Sequence, residues 1–335
     1  MKHRPSSPVI VALAAGLALV ALAALTGCTS ASGDDATRTL NVGQLGATKI
    51  EEALLEASGE ADDLPYEIEW SLYPAGGPAF LEAVPSGSVD VASMADTPPI
   101  FGQVAGIGTK IVAVEESTAP DTSTVEILAA PGSGIDSVAD LKGKKVATTE
   151  ATILQYTLVR ALEEAGLSYD DIEPVPLAPP DAAAAFASGD VDAVTALDPQ
   201  RAQMVAEGAQ VIGDGVGTTS GYSVVVATDA ALADEQRAAD VEDFVQRLAR
   251  AQAWAVENPD AWLPVYTEVS GLPADIAEAV LEREGSRYVP IDDTVIAQQQ
   301  EQADAYHRLG LIEEKLDVSA QFDDRFNDVL TGAGS

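Results

Sequence analysis

Two stretches far apart in the chain decide the fold: AVPSGSVDVASMADTPP at residues 83–99 and AFASGDVDAVTALDPQ at residues 185–200. In each, a helical run closes at Ser-Gly and a strand opens with Val-Asp. Six residues after that aspartate a second one follows, Asp96 in the first copy and Asp198 in the second. Each stands at a strand end, directly before a helix with proline near its start. The plain reading is two similar βα units. Its further content is that each half of the protein offers a strand-end aspartate at an equivalent place. Ligands of open α/β sheets lie beyond the carboxyl ends of the strands. Two such halves facing one another make a cleft.

Outward from these copies the chain alternates strand and helix. TLNVGQ, YEIEWSLY, VDVASM and KIVAVE read as strands, with KIEEALLEASG, GPAFLEAV and PPIFGQVAG as the helices between them. A second series has strands TVEILAA, KVATT, IEPVPL, VDAVTAL and AQVIGD. Its helices are SVADLKG, ILQYTLVRALEEAG, PDAAAAFASG and PQRAQMVAEG, and YSVVVAT is a last strand. From about Asp234 onward the pattern is helical throughout. This alternation predicts an α/β protein with mostly parallel sheets covered by helices on both faces.

The chain of 335 residues is long enough for one large or two medium domains, and 47% of its side chains are hydrophobic. Aromatic residues make up only 5%, so the core is built from small aliphatic side chains. The formal charge of −36 repels nucleic acid phosphates and favours solubility. Nucleic acid is therefore excluded as a partner, and a monomer is expected.

The first residues have a basic start, MKHRP, then the apolar run VIVALAAGLALVALAAL. This is the pattern of a secretion signal, to be set apart from the fold. Leu25-Thr26-Gly27-Cys28 resembles the lipobox of bacterial lipoproteins, and Cys28 is the only cysteine. Residues 1–27 are thus expected to be a lipoprotein signal peptide, with Cys28 the lipidated residue. Residues 28–38 form a flexible tether holding the domain at the outer side of the cell membrane.

Three segments carry a family resemblance: YPAGGPAFLEAVPSGSVDVASMADTPPIFGQVAG, SVADLKGKKVATT and LVRALEEAGLSYDDIEPVPLAPPDAAAAFASGDVDAVTALDP. In these segments, and in LGLIEEKLDV near the end, the chain resembles the solute-binding proteins of ABC importers in the aliphatic sulfonate, taurine and nitrate group. The resemblance covers Leu40 to about Val318. It implies a two-lobed type II periplasmic-binding-protein fold with the ligand in a cleft between the lobes. One lobe combines residues 39–123 with 223–335, and the other is residues 124–222. The partners implied are a small organic solute, an ABC permease and its ATPase, with no cofactor.

The resemblance places ligand near several turns. Gln44 ends the first strand, where its amide can donate and accept, or it is an ordinary loop residue. Gly76 and Gly77 join a strand to a helix and either expose backbone N–H groups or simply make a tight turn before Pro78. Asp96, Thr97 and Asp198 are equally suited to capping their helices. Tyr222 either covers the cleft or belongs to the core. Sulfonate binders of this group carry small hydroxyls at the turn that reads TTEATILQY here, residues 148–156. Thr149, Thr152 and Gln155 keep polar capacity, but Ile153 and Leu154 do not, and Glu150 opposes an anion unless it points outward. Val194, Leu197 and Gln200 stand where the family often has aromatic residues. Lys49 and Arg201 read as solvated surface charges. A neutral or cationic solute fits these residues as well as a sulfonate, and a surface sensor is a further alternative.

Enzymatic chemistry finds few groups. His307 is the only histidine beyond the leader, and neither a G-x-x-x-x-G-K-[ST] nor a G-x-G-x-x-G run occurs. The shortage of His and Cys also argues against a zinc site, and no D-x-[DN]-x-[DN]-G calcium loop is present.

Overall fold

The computed structural model describes residues 38–119, 122–123 and 125–330. The expected signal peptide, Cys28 and all but the last residue of the tether lie outside the described residues. Among the described residues the eleven strands are β1 (Thr39–Leu45), β2 (Glu67–Tyr73), β3 (Val91–Ala95), β4 (Thr109–Ser117), β5 (Val125–Ala129), β6 (Lys145–Thr148), β7 (Glu173–Pro176), β8 (Ala193–Leu197), β9 (Gln210–Asp214), β10 (Tyr222–Thr228) and β11 (Ser286–Val289). The α-helices are α1 (Ile50–Ser58), α2 (Gly77–Ala83), α3 (Thr97–Val104), α4 (Ile153–Glu164), α5 (Pro179–Ser188), α6 (Gln200–Ala206), α7 (Asp229–Ala233), α8 (Glu235–Glu257), α9 (Pro259–Ser270), α10 (Ala274–Leu281), α11 (Asp293–Arg308) and α12 (Asn327–Leu330).

Two sheets result, and their orders match. Across the first the order is β2-β1-β3-β10-β4-β11; across the second it is β7-β6-β8-β5-β9. The two copies of the opening motif supply β3 and β8, the third strand of each sheet. Their Val-Asp aspartates do the same work in both places. The Asp90 carboxylate accepts from Asn41 N at 2.9 Å, and the Asp192 carboxylate accepts from Lys145 N at 2.8 Å. Each aspartate thereby ties its strand to the second strand of its own sheet, β1 for Asp90 and β6 for Asp192.

Most strands of each sheet share one direction, but β10 and β11 in the first and β5 in the second run against it. Because β10 and β5 sit between strands of the opposite sense, antiparallel pairings slightly outnumber parallel ones. Both reversed inner strands adjoin a place where the chain passes from one sheet to the other. The crossings are tied together at Ser123, whose hydroxyl accepts from Gly215 N at 3.2 Å.

Helices cover both faces of the first sheet. On one side α1 and α8 to α10 bury Leu54, Leu55, Phe244, Val245 and Trp262. On the other, Phe80 and Leu81 of α2 and Val295 of α11 pack on the strands. α8 starts where the Asp234 side chain accepts from Arg237 N at 2.9 Å, and its buried Val241, Phe244, Val245 and Leu248 recur at helical spacing. Gly77 lets α2 approach α3, since a Cβ there would stand 2.4 Å from Pro98 Cγ.

Two expectations are corrected. The region after Asp234 is not helical throughout, because β11 pairs with β4 at the edge of the first sheet. Four residues with mixed burial carry too little alternation to announce a strand. SVADLKG forms only a 3₁₀ turn, Val138–Leu141, held by a capping box between Ser137 and Asp140.

Candidate functional site

The facing ends of the two sheets and the two crossings enclose a cavity of about 430 Å³. The ends of β3 and β4 and the starts of β10 and β11 line one side, with Ala95, Glu115, Ser117, Ser223 and Ser286. Val125, Ile153, Leu197 and Asp198 line the other, and the crossing segments at 122–123 and 219–221 close the back. The cleft expected from the paired motifs is therefore present, bounded by both sheets.

Its two strand-end aspartates differ in role. Asp198 lines the cavity, yet its side chain is only 1% exposed. Its Oδ1 accepts from Arg201 Nε, in the first turn of α6, at 2.8 Å. Asp198 Oδ2 is buried without a partner. Burial pushes this carboxyl up, and the Arg201 hydrogen bond opposes the rise. Asp96 lies behind the cavity wall and does not cap α3 with its side chain. It accepts from Ser220 Oγ on the second crossing and from Gln302 Nε2 at 3.3 Å. Gln302 also donates to Thr97 Oγ1 at 2.7 Å, so Asp96 and Thr97 form one buried polar knot joining β3, α3, α11 and the crossing. Long-range partners displace the capping expected of Asp96, whereas Asp198 pairs locally with Arg201, three residues on.

Arg201 is not a solvated surface charge: it is 6% exposed. Besides Asp198 it donates to Glu126 on β5 at 3.0 Å, and Glu126 accepts from Arg283 Nη2 at 2.7 Å. Lys49, by contrast, is exposed and pairs with Glu52 at 2.8 Å.

The TTEATILQY turn is largely self-contained. Thr149 Oγ1 donates to Leu177 O at 2.8 Å, and Gln155 Oε1 accepts from Ala151 N at 3.0 Å. Thr152 caps α4 by accepting from Leu154 N at 3.2 Å while donating to Thr149 O at 2.7 Å. Glu150 is exposed, and Ala151 at φ 58° turns the chain. The apolar residues have a packing reason. Ile153, Leu154 and Tyr156 share a core with Ala303, Ala305 and Tyr306 of α11. The Tyr156 and Tyr306 rings lie 5.3 Å apart, and Phe101 and Tyr306 lie 5.0 Å apart. Of residues 148–156, only Ile153 reaches the cavity.

The remaining expected positions divide. Tyr222 is half-buried and lines the cavity. Gln44 is not a loop surface residue but is buried at the end of β1, its Oε1 accepting from Glu52 N at 3.4 Å and its Nε2 unpartnered. Gly76 and Gly77 shape the start of α2, a helix of seven residues, and neither lines the cavity. Sequence reasoning missed Glu115, Arg283, Glu284 and Ser286. Glu115 is buried and accepts from Gln252 Nε2 and Ser286 Oγ, each at 3.0 Å; burial raises its carboxyl against these bonds. Glu284 is open to the cavity yet walled by protein, and this enclosure pushes it up to about 7; Asp198 adds to the rise while Arg201 and Arg283 oppose it. Among the described residues, no group of three His, Cys, Asp or Glu side chains is placed to hold a metal ion.

Known proteins match this arrangement. The NMT1/THI5-like family model matches residues 71–262, more than half of the chain. The chain belongs to the NMT1/THI5-like family. An Escherichia coli K12 relative named for aliphatic sulfonate binding is 35% identical over 254 residues, 75% of this chain and 78% of its own. The alkanesulfonate-binding protein SsuA from Xanthomonas axonopodis pv. citri, solved bound to MOPS, superposes with a TM-score of 0.76 at 28% identity, covering 85% of this chain and 98% of that one. The desulfurization enzyme DSZB shares the fold alone: TM-score 0.60, 20% identity, 88% of this chain and 99% of that one. The periplasmic-binding-protein fold and the family read from the sequence are borne out, and the near relatives are binding proteins.

Proposed function

We infer that this NMT1/THI5-like protein is the extracytoplasmic substrate-binding component of an ABC importer, capturing a small organic solute and delivering it to a permease and its ATPase. The observation that carries the reading is the cavity of about 430 Å³ held between the facing ends of two like-ordered sheets. Sulfonates head the solute class because the relatives are named for them. The mechanism is closure. A solute touching both sides stabilises the state in which residues 39–123 with 223–335, as one lobe, approach residues 124–222, the other. The crossings at Ser123 and Gly215 are the hinge. The leader sequence supports export and a lipid anchor at Cys28, with residues 28–38 as tether, and a monomer suffices for this work.

No covalent step is needed. His307 is exposed in the last turn of α11 and does not line the cavity, so a triad built on it has no place there. The cavity's side chains orient a solute rather than activate one.

A thermal-shift panel tests the reading, because a ligand that binds only the folded state raises the melting temperature. The panel holds alkanesulfonates, amino-sulfonates, nitrate, neutral sulfur compounds, amines and pyrimidines. A concentration-dependent rise with at least one compound is expected. No rise with any of them overturns the assignment.

A further inference from the structure

The charged groups of the cleft are not equally free. The cavity is lined by Glu115, Asp198, Glu284 and Arg283. Glu115 is held by Gln252 and Ser286, and Asp198 by Arg201. Arg283 is committed to Glu126 and to the Ser123 carbonyl. Its Nε has no acceptor, and neither has Asp198 Oδ2, but both atoms are sealed from solvent. Glu284 alone forms no side-chain hydrogen bond or ion pair with the described residues, and it is the charged side chain most exposed to the cavity.

We propose that the cleft receives an amine-bearing solute whose protonated nitrogen is held by the Glu284 carboxylate. The proposal rests on the solute-binding reading and specifies the chemistry of its site. Around the cavity stand four acids, Glu115, Glu126, Asp198 and Glu284, against two bases, Arg201 and Arg283. The bases are already shared between Glu126 and Asp198, and the unpartnered Asp198 oxygen leaves the wall beside Glu284 short of positive charge. An arriving ammonium ion supplies it and gains a charge-assisted hydrogen bond. A sulfonate placed there meets the uncompensated carboxyl instead. The formal charge of −36 acts in the same sense at longer range, drawing cations to the surface and slowing the approach of anions.

The direct test uses three solutes built on the same three-carbon chain: propylamine, 3-aminopropanesulfonate and propanesulfonate. Isothermal titration at pH 7.5 is run on the native protein and on Glu284→Gln. The native protein is expected to bind both amines at least about tenfold more tightly than propanesulfonate, a difference of about 1.4 kcal/mol. Glu284→Gln is expected to abolish that preference without lowering the melting temperature, since it removes a carboxyl that enclosure pushes up. Propanesulfonate binding as tightly as its amino counterpart overturns the proposal, and so does a preference that survives in Glu284→Gln. Failure of both amines to bind also overturns it. In each of these cases the solute-binding reading stands if any member of the wider thermal-shift panel binds.

Discussion

Replacing Arg201 by methionine separates a structural cation from a ligand-binding one. The guanidinium is 6% exposed and donates to Asp198 at 2.8 Å and to Glu126 at 3.0 Å. Methionine fills part of the volume but leaves both carboxylates without that donor. Glu126 keeps Arg283 at 2.7 Å, so the main loss falls on Asp198, whose side chain is 1% exposed and whose other oxygen already lacks a partner. Removing one member of a buried ion pair typically costs about 3–5 kcal/mol. Relief by protonation of Asp198, already favoured by burial, brings the expected loss to the lower end, about 3 kcal/mol at pH 7. Urea unfolding followed by circular dichroism measures it. The double variant Asp198→Asn with Arg201→Met removes the orphaned charge and should recover more than half of the loss. A loss below about 1 kcal/mol in the single variant would refute the reasoning, because that is the range of an exposed pair. A stable variant that loses sulfonate binding would instead make Arg201 an anion receptor.

Two further perturbations follow from the packing. Glu51 of α1 has its carboxyl pushed from 4.5 to about 8, chiefly by burial, with Glu115 adding to the rise. Below about pH 4.5 the group is neutral in both folded and unfolded chains; between there and about 8 only the unfolded chain ionises, so stability falls by about 1.4 kcal/mol for each pH unit. Glu51→Gln removes this loss, and its stability advantage over the native protein should grow from pH 5 to pH 8 by up to about 4 kcal/mol in urea unfolding; a constant difference would contradict the assignment. Gly77→Ala places a methyl group 2.4 Å from Pro98 Cγ and should destabilise the protein by about 1–3 kcal/mol, whereas an unchanged melting temperature would show that α2 shifts freely.

The fold was legible because the two copies of the Val-Asp motif carry a structural task that each sheet needs. Asp90 and Asp192 bond back to the second strand of their own sheets, β1 and β6, so the same letters recur at the same place. β11 was hidden because its four residues are an edge strand that owes its existence to β4 rather than to its own pattern. The site was less legible. Asp96 and Asp198 stood out, but the partners of Asp96, Ser220 and Gln302, are fixed by tertiary approach rather than by local spacing; Arg201, three residues after Asp198, is a local partner. Arg201 looked like a surface charge because its buried partner Glu126 lies in the interior of β5, 75 positions away. The loss of polarity at Ile153 and Leu154 read as a change in ligand preference. In the structure these residues meet α11, a contact that the turn's own letters do not reveal. Glu284 carried no motif; it became visible only when the connection between α10 and β11 was placed beside the cavity.

The central claim is that the cavity between the two sheets is where solute binds. Ser223, exposed on the cavity wall at the start of β10, allows it to be filled without disturbing the core. The measurement is titration of Ser223→Trp with the solute that most raises the melting temperature of the native protein. The account predicts an unchanged melting temperature in the absence of solute and loss of binding by at least about a hundredfold, about 2.7 kcal/mol. Binding at native affinity in the filled variant would place the solute elsewhere and contradict the account.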